Sequence, residues 1–177
     1  MIKKSFMVSM KIRIIGCSGS GKTYLALKLV EKLRLSHFDL DNIFWDNSES
    51  YGIKREDGER DKLLSSALYE PSWVIEGVYY KWCLNTFDQA DIIILLEPKL
   101  KLCKSRIKKR FIKRKLGLEK GKKETLKSLK ELLKWTGKFY SDNLLKIKEI
   151  LNGYKTKVVM LKTEKEIDDF LEKIKIN

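Results

Sequence analysis

Eight residues, Gly16-Cys17-Ser18-Gly19-Ser20-Gly21-Lys22-Thr23, limit what this chain can fold into more than any other stretch. They meet the spacing G-x-x-x-x-G-K-T, with the apolar run Ile12 to Ile15 before them and an amphipathic stretch after them. Three glycines and two serines let the backbone curl until its N–H groups converge. The helix that begins at Lys22 adds the positive end of its dipole. Such a turn suits the phosphates of a nucleoside triphosphate. The Lys22 ammonium is expected on the β- and γ-phosphates and the Thr23 hydroxyl on magnesium.

The rest of the chain alternates short apolar runs with helical periodicity. Lys22 to Arg34 reads as a helix, with Leu25, Leu29 and Leu33 one turn apart. Leu35 to Leu40 reads as a second strand and Asp57 to Tyr69 as a helix. Trp73 to Glu76 is a third strand. Ile92 to Leu96 is a fourth, apolar throughout and so expected to be buried on both faces. A basic helix is expected from about Lys99 to Lys115. A second helical stretch runs from about Lys123 to Leu151, with a bend near Gly137. Lys157 to Leu161 is a fifth strand and Glu164 to Ile174 a closing helix. This alternation predicts an α/β fold, a parallel sheet with helices on both faces. Ligands of such sheets bind beyond the carboxyl ends of the strands.

The 177 residues suit one domain. No apolar run is long enough to span a bilayer, so no membrane partner is expected. Met1 to Met10 lacks the apolar core and cleavage site of an export signal, which makes the cytoplasm the default location. Met10 is an alternative start. Three cysteines at wide spacing argue against a disulfide framework or a zinc site. Cys17 lies near a helix start, which can lower a thiol pKa, but a small loop residue is the simpler reading.

The net charge is +14, and its location matters more than its size. Lys99 to Lys123 holds thirteen Lys or Arg against one acid, Glu119, a local charge of +12. Whatever that segment meets should be anionic. The chain has 31 lysines and only seven arginines, yet Arg106, Arg110 and Arg114 recur at helical spacing. A guanidinium grips phosphate oxygens in a planar fork that lysine cannot reproduce. This row is expected to close over the triphosphate and stabilise charge in the transition state. The alternative is a solvated basic face.

Phosphoryl transfer with magnesium also needs carboxylates. Candidates follow the strands: Asp39 and Asp41 after the second, Glu76 after the third, Glu97 after the fourth. On an extended chain Asp39 and Asp41 point the same way, so either can face the loop. Glu76 is a candidate for the metal, and Asp41 for the acceptor side. His37, the only histidine, reads as a satisfied core or loop residue. Arg55 and Arg60 are further candidates for gripping an acceptor.

Together these residues resemble the small P-loop kinases related to adenylate kinase, and more narrowly the bacterial family of DNA topology modulation proteins. Four segments carry the resemblance: Ile14 to Thr23; Asp39-Leu40-Asp41 with Phe44-Trp45; Trp73-Val74-Ile75-Glu76-Gly77-Val78-Tyr79; and Ala90-Asp91 with the strand after it, then Arg106 and Arg110. The resemblance runs from Met10 to near the end of the chain. It implies a three-layer P-loop NTPase fold with a five-stranded parallel sheet, a core of about 10–98 and 152–177, and a basic helical lid of about 99–151. It implies ATP as donor, with roles for Asp41, Glu76, Arg106 and Arg110. Glu76 stands where such proteins usually carry Asp, and Val78 where Asn is common.

Two functions follow as expectations. The first is a magnesium-dependent kinase that passes the ATP γ-phosphoryl to a small-molecule acceptor, with a nucleotide or nucleoside favoured. Lys22, Asp41, Arg106 and Arg110 would be its catalytic residues. Residues 16–23 with Arg106, Arg110 and Arg114 would hold ATP, and Thr23 and Glu76 the Mg2+. The second is an ATP-dependent nucleic-acid-binding or DNA topology modulation protein, supported by the basic segment. A GTPase would need an NKxD motif, and the sequence has none. No helix-turn-helix or zinc finger is visible either.

Overall fold

In the computed structural model, residues 9–46, 52–119 and 125–175 are described. Met1, the far end of the basic segment (Lys120, Lys122 and Lys123) and the expected helix start at Lys123 lie outside them. The apolar runs become β1 (Lys11–Gly16), β2 (Ser36–Asp39), β3 (Trp73–Gly77), β4 (Ile92–Leu96) and β5 (Val158–Leu161). They form one parallel sheet in the order β2-β3-β1-β4-β5. This is the α/β P-loop NTPase fold expected from the sequence.

Side chains alternate across the sheet because strand residues point to opposite faces in turn. Ile12, Ile14, Val74 and Ile94 pack under α1 (Lys22–Leu33) and α8 (Glu164–Lys173), against Leu25, Leu29 and Ile167. Ile15, Ile75, Ile93 and Leu95 face the other way, toward α3 (Asp57–Tyr69), α5 (Leu100–Lys115) and α7 (Leu144–Leu151). Leu64, Cys103 and Ile147 meet them there. The apolar β4 is indeed covered on both sides.

Two short helices, α2 (Leu40–Phe44) and α4 (Asn85–Gln89), have no counterpart in the sequence reading. Five residues are too few to show a helical period. The second strand stops at Asp39 because the Asp39 carboxylate accepts the Asp41 N–H at 2.8 Å and starts α2. Asp41 therefore sits on a helix and does not share an extended chain with Asp39, which corrects that part of the expectation.

The late helical stretch divides into α6 (Leu126–Lys138), one wide π turn at Phe139–Asn143, and α7. The break falls just past Gly137, where a bend was expected. Thr125 and Ser128 cap the start of α6 reciprocally. Of the late aromatic residues, Phe139 is buried, Tyr140 half-buried and Trp135 partly exposed. Among the described residues no helix is long and apolar enough to cross a membrane.

Candidate active site

β1 delivers its last residues to the centre of the sheet edge, and the chain turns there into α1. The turn closes with the Ser20 N–H on the Cys17 carbonyl at 3.3 Å and the Leu25 N–H on the Gly21 carbonyl at 3.0 Å. Gly19 has φ +76°, a left-handed conformation that glycine adopts without strain. A Cβ on Gly19 would lie 2.6 Å from the Cys103 carbonyl oxygen, so the first turns of α5 rest directly on the loop. The Lys22 ammonium donates to the Cys17 carbonyl at 3.0 Å, folded over the loop it belongs to. Thr23 is exposed on the first turn of α1. Ser20 is fully buried, and its hydroxyl has no hydrogen-bond partner. A curled backbone, a lysine poised over it and an open threonine fit a bound triphosphate.

On α5, Cys103, Ile107 and Phe111 are buried, as the apolar stripe required. Arg106, Arg110 and Arg114 are half-buried beside them, while Lys101, Lys108, Lys109, Lys113 and Lys115 are exposed. The arginines thus turn inward and these lysines outward. Arg106 reaches the loop, donating from Nη1 to the Ser20 carbonyl at 3.2 Å and to the Gly19 carbonyl at 3.4 Å. Its Nη2 pairs with Glu164 at the start of α8. Arg110 and Arg114 follow at successive turns, with Arg114 Nε 3.4 Å from Glu119.

The carboxylates separate into two groups. Asp39 and Glu76 are paired neighbours on β2 and β3, so their side chains lie together on the α1 side of the sheet. Glu76 is only 1% exposed and meets His37 Nε2 at 3.3 Å. Burial raises the Asp39 carboxyl to about 6; the charges of Asp41 and Glu76 add to this, while the Asp41 N–H and Lys22 oppose it. Asp41 is exposed and accepts the Tyr79 hydroxyl at 2.8 Å. Burial, then Asp41, push the Tyr79 phenol up. Lys22 thus acts on Asp39, while Asp41 is hydrogen-bonded to Tyr79. Glu97 is turned away and pairs with Lys148 at 2.7 Å. Among the described residues no three His, Cys, Asp or Glu side chains gather into a metal cage. Magnesium needs none where phosphate oxygens and water fill most of its shell. Thr23, Asp39 and Glu76 are the oxygen donors on this side.

Cys17 does not carry the lowered pKa that a helix start favours. Its hydrogen bond to Cys103 and its burial push the thiol up. Cys103 in turn meets the Tyr140 hydroxyl at 3.5 Å, and Tyr140 donates to the Pro98 carbonyl. These contacts tie the loop to α5 and to the π turn.

Beyond β2 and β3 lies an aromatic wall. Phe44 stacks on Tyr79 at 4.7 Å and on Trp82 at 6.0 Å, with Trp45 edge-on at 4.8 Å. Arg55 donates to the carbonyls of Ile43 at 3.1 Å and Trp45 at 3.2 Å. Arg60 pairs with Asp57 at 2.6 Å and Asp61 at 2.7 Å and lies 4.8 Å from the Trp82 ring centre. Both guanidiniums are held by these local partners.

Sequence reasoning passed over Arg13. It is fully buried in β1 and donates to Thr86 Oγ1 at 3.1 Å, to the Tyr79 carbonyl at 2.7 Å, and to the carbonyls of Ile75 and Ile14. Burial lowers its pKa; Cys83, Glu76 and Asp39 oppose that. Its signal was an arginine inside an apolar strand of a lysine-rich chain. Glu164 gave no signal, since only the fold brings α8 to Arg106.

Solved structures share this fold. A gluconokinase from Sinorhizobium meliloti 1021 superposes with TM-score 0.55 and 14% identity, covering 93% of this chain and 89% of its own. A shikimate kinase from Acinetobacter baumannii, in complex with shikimate, gives 0.54 and 18%, covering 96% and 93%. A deoxyadenosine kinase from M. mycoides with bound dATP gives 0.50 and 21%, covering 93% and 98%. In sequence, the uncharacterized protein YqaC of Bacillus subtilis (strain 168) is 34% identical over 86 residues, or 48% of this chain. The chain spans about half the length of that relative, 47%. No family model matches, so the narrower resemblance rests on the four segments that carry it. What the comparisons establish is that this chain has the fold of the P-loop kinases.

Proposed function

We propose that this chain is an ATP- and magnesium-dependent phosphotransferase acting on a small-molecule acceptor, with a nucleoside or nucleotide favoured. One observation carries the reading. Lys22 and Arg106 both sit on the phosphate loop, from opposite elements, with Asp39 and Glu76 on the adjoining strands. That arrangement would surround a terminal phosphate with two cations and offer carboxylates to an acceptor. Three neighbours in fold are named as kinases, which supports the same class.

The loop N–H groups and the helix dipole would hold the phosphates. Lys22 would leave the Cys17 carbonyl for the β- and γ-phosphates. Arg106 would exchange its loop carbonyls for phosphate oxygens, with Arg110 and Arg114 closing from the same face. Mg2+ on Thr23, with Glu76 holding its water, would neutralise charge as it develops. Asp39 or Asp41 would orient the acceptor hydroxyl for in-line attack. The α5–α6 hairpin would serve as the lid.

The outward lysines of α5 support a second reading, phosphate-backbone binding to nucleic acid. One experiment separates the two: ADP formation with a panel of acceptors, beside duplex DNA binding at physiological salt. Acceleration by an acceptor supports the phosphotransferase. DNA binding with no acceleration supports the second reading.

A further inference from the structure

Glu164 is joined to the phosphate loop through an arginine. Resting on the phosphotransferase reading, we infer that Glu164 is a positioning residue: it fixes the Arg106 guanidinium, and with it the arginine row of α5, against the loop.

Two points of α5 meet the loop. The first is Cys103, whose carbonyl oxygen would lie 2.6 Å from a Cβ on Gly19. The second is Arg106, one turn later. Its Nη1 donates to the Gly19 and Ser20 carbonyls, and its Nη2 donates to Glu164. The two loop carbonyls are the contacts that phosphate oxygens would displace. Glu164 is then the partner that still holds the fork.

Glu164 itself stands on a fixed corner. It is the first residue of α8, whose start is capped reciprocally by Thr163 and Glu166. Glu166 also accepts the Lys162 N–H. Ile167, one turn on from Glu164, is buried in the cluster that holds Leu25, Ala26 and Leu29 of α1. That helix follows the loop directly. A carboxylate at this corner can therefore register α5 against the loop.

Stability gives little reason for the pair. The Glu164 side chain is largely exposed, and exposed ion pairs add little to a fold. Electrostatics gives a reason against it, since a carboxylate near a triphosphate repels it. Geometry supplies the reason for it. The guanidinium is planar and rigid, so holding one of its nitrogens sets the direction of the others. A phosphate is then met by a cation already aimed.

The test uses the full chain. Wild-type ADP formation with the acceptor panel comes first. If no acceptor accelerates it, the phosphotransferase reading fails and takes the inference with it. Next, kcat, calorimetric affinity for a non-hydrolysable ATP analogue with magnesium, and melting temperature are compared across four variants. These are Glu164→Gln, Glu164→Ala, Arg106→Ala and the double variant Arg106→Ala/Glu164→Ala. Glu164→Ala is expected to lower kcat about tenfold, with analogue affinity and melting temperature near wild type. Glu164→Gln keeps an acceptor oxygen for Nη2 and should fall between the two. Because Glu164 acts through the arginine, its loss should cost Arg106→Ala less than about twofold in kcat. Wild-type kcat in Glu164→Ala, or a loss that repeats in full on the Arg106→Ala background, overturns the inference while the phosphotransferase reading stands. A loss of kcat with a matching fall in melting temperature makes Glu164 a structural residue and overturns the inference as well.

Discussion

The Arg106 guanidinium lies across the phosphate loop, 3.2 Å from the Ser20 carbonyl, while its other terminal nitrogen pairs with Glu164. One fork thus joins the loop, α5 and α8. Lysine carries the same charge on a single nitrogen and lacks the planar fork that spans the two partners here. Arg106→Lys is expected to lower kcat roughly tenfold or more. Arg110→Lys should lower kcat more than it raises the KM for ATP. Steady-state kinetics at varied ATP check both. Unchanged kcat in Arg110→Lys would favour the solvated-face interpretation for that residue.

The contact between Gly19 and α5 makes a stability prediction. An alanine at 19 meets the Cys103 carbonyl at 2.6 Å and adopts φ +76°. Gly21 has φ +102°, but its nearest neighbour would be the Arg106 Nη1 at 3.7 Å. Gly21→Ala should cost about 1–2 kcal/mol from backbone strain alone. Gly19→Ala should cost more, because backbone has to move as well. Thermal unfolding of the two variants checks the order.

Much of this was legible in advance. The loop spacing and the strand–helix alternation were enough to expect a parallel sheet with a phosphate cradle at its edge. The i, i+4, i+8 spacing placed the arginines on one face. What escaped depends on distance in space. Arg13 reads like any strand residue until the fold buries it, and Glu164 lies 58 residues from Arg106. Asp41 was read as extended because a helix of five residues leaves no periodic trace.

Arg13 supplies the next prediction. Arg13→Met keeps the apolar stem but strips partners from Thr86 and from the Tyr79 and Ile75 carbonyls. Buried polar groups without partners are costly, so the loss should be about 3 kcal/mol or more. Denaturant unfolding measures it. A loss near zero would show that the network adds little to stability.

Asp39 gives a pH signature. Burial raises its carboxyl from the ordinary 3.8 to about 6 in the folded chain. The folded state then holds its proton more tightly than the unfolded state does. Its contribution to stability is full below pH 3.8 and is lost as pH rises through about 6. Asp39→Asn removes this charge and can still accept the Asp41 N–H as a helix cap. The variant's melting temperature should gain on wild type as pH rises through that window and then level off. A constant difference across the window would mean that Asp39 ionises normally.

The central claim is that the loop holds ATP for transfer. Acceptor-dependent ADP formation by the full chain, compared with Lys22→Ala, tests it most directly. At least one acceptor should accelerate wild type, and the alanine variant should lose on the order of a hundredfold or more while remaining folded by circular dichroism. Turnover that survives Lys22→Ala, or no acceleration by any acceptor in wild type, would contradict the account.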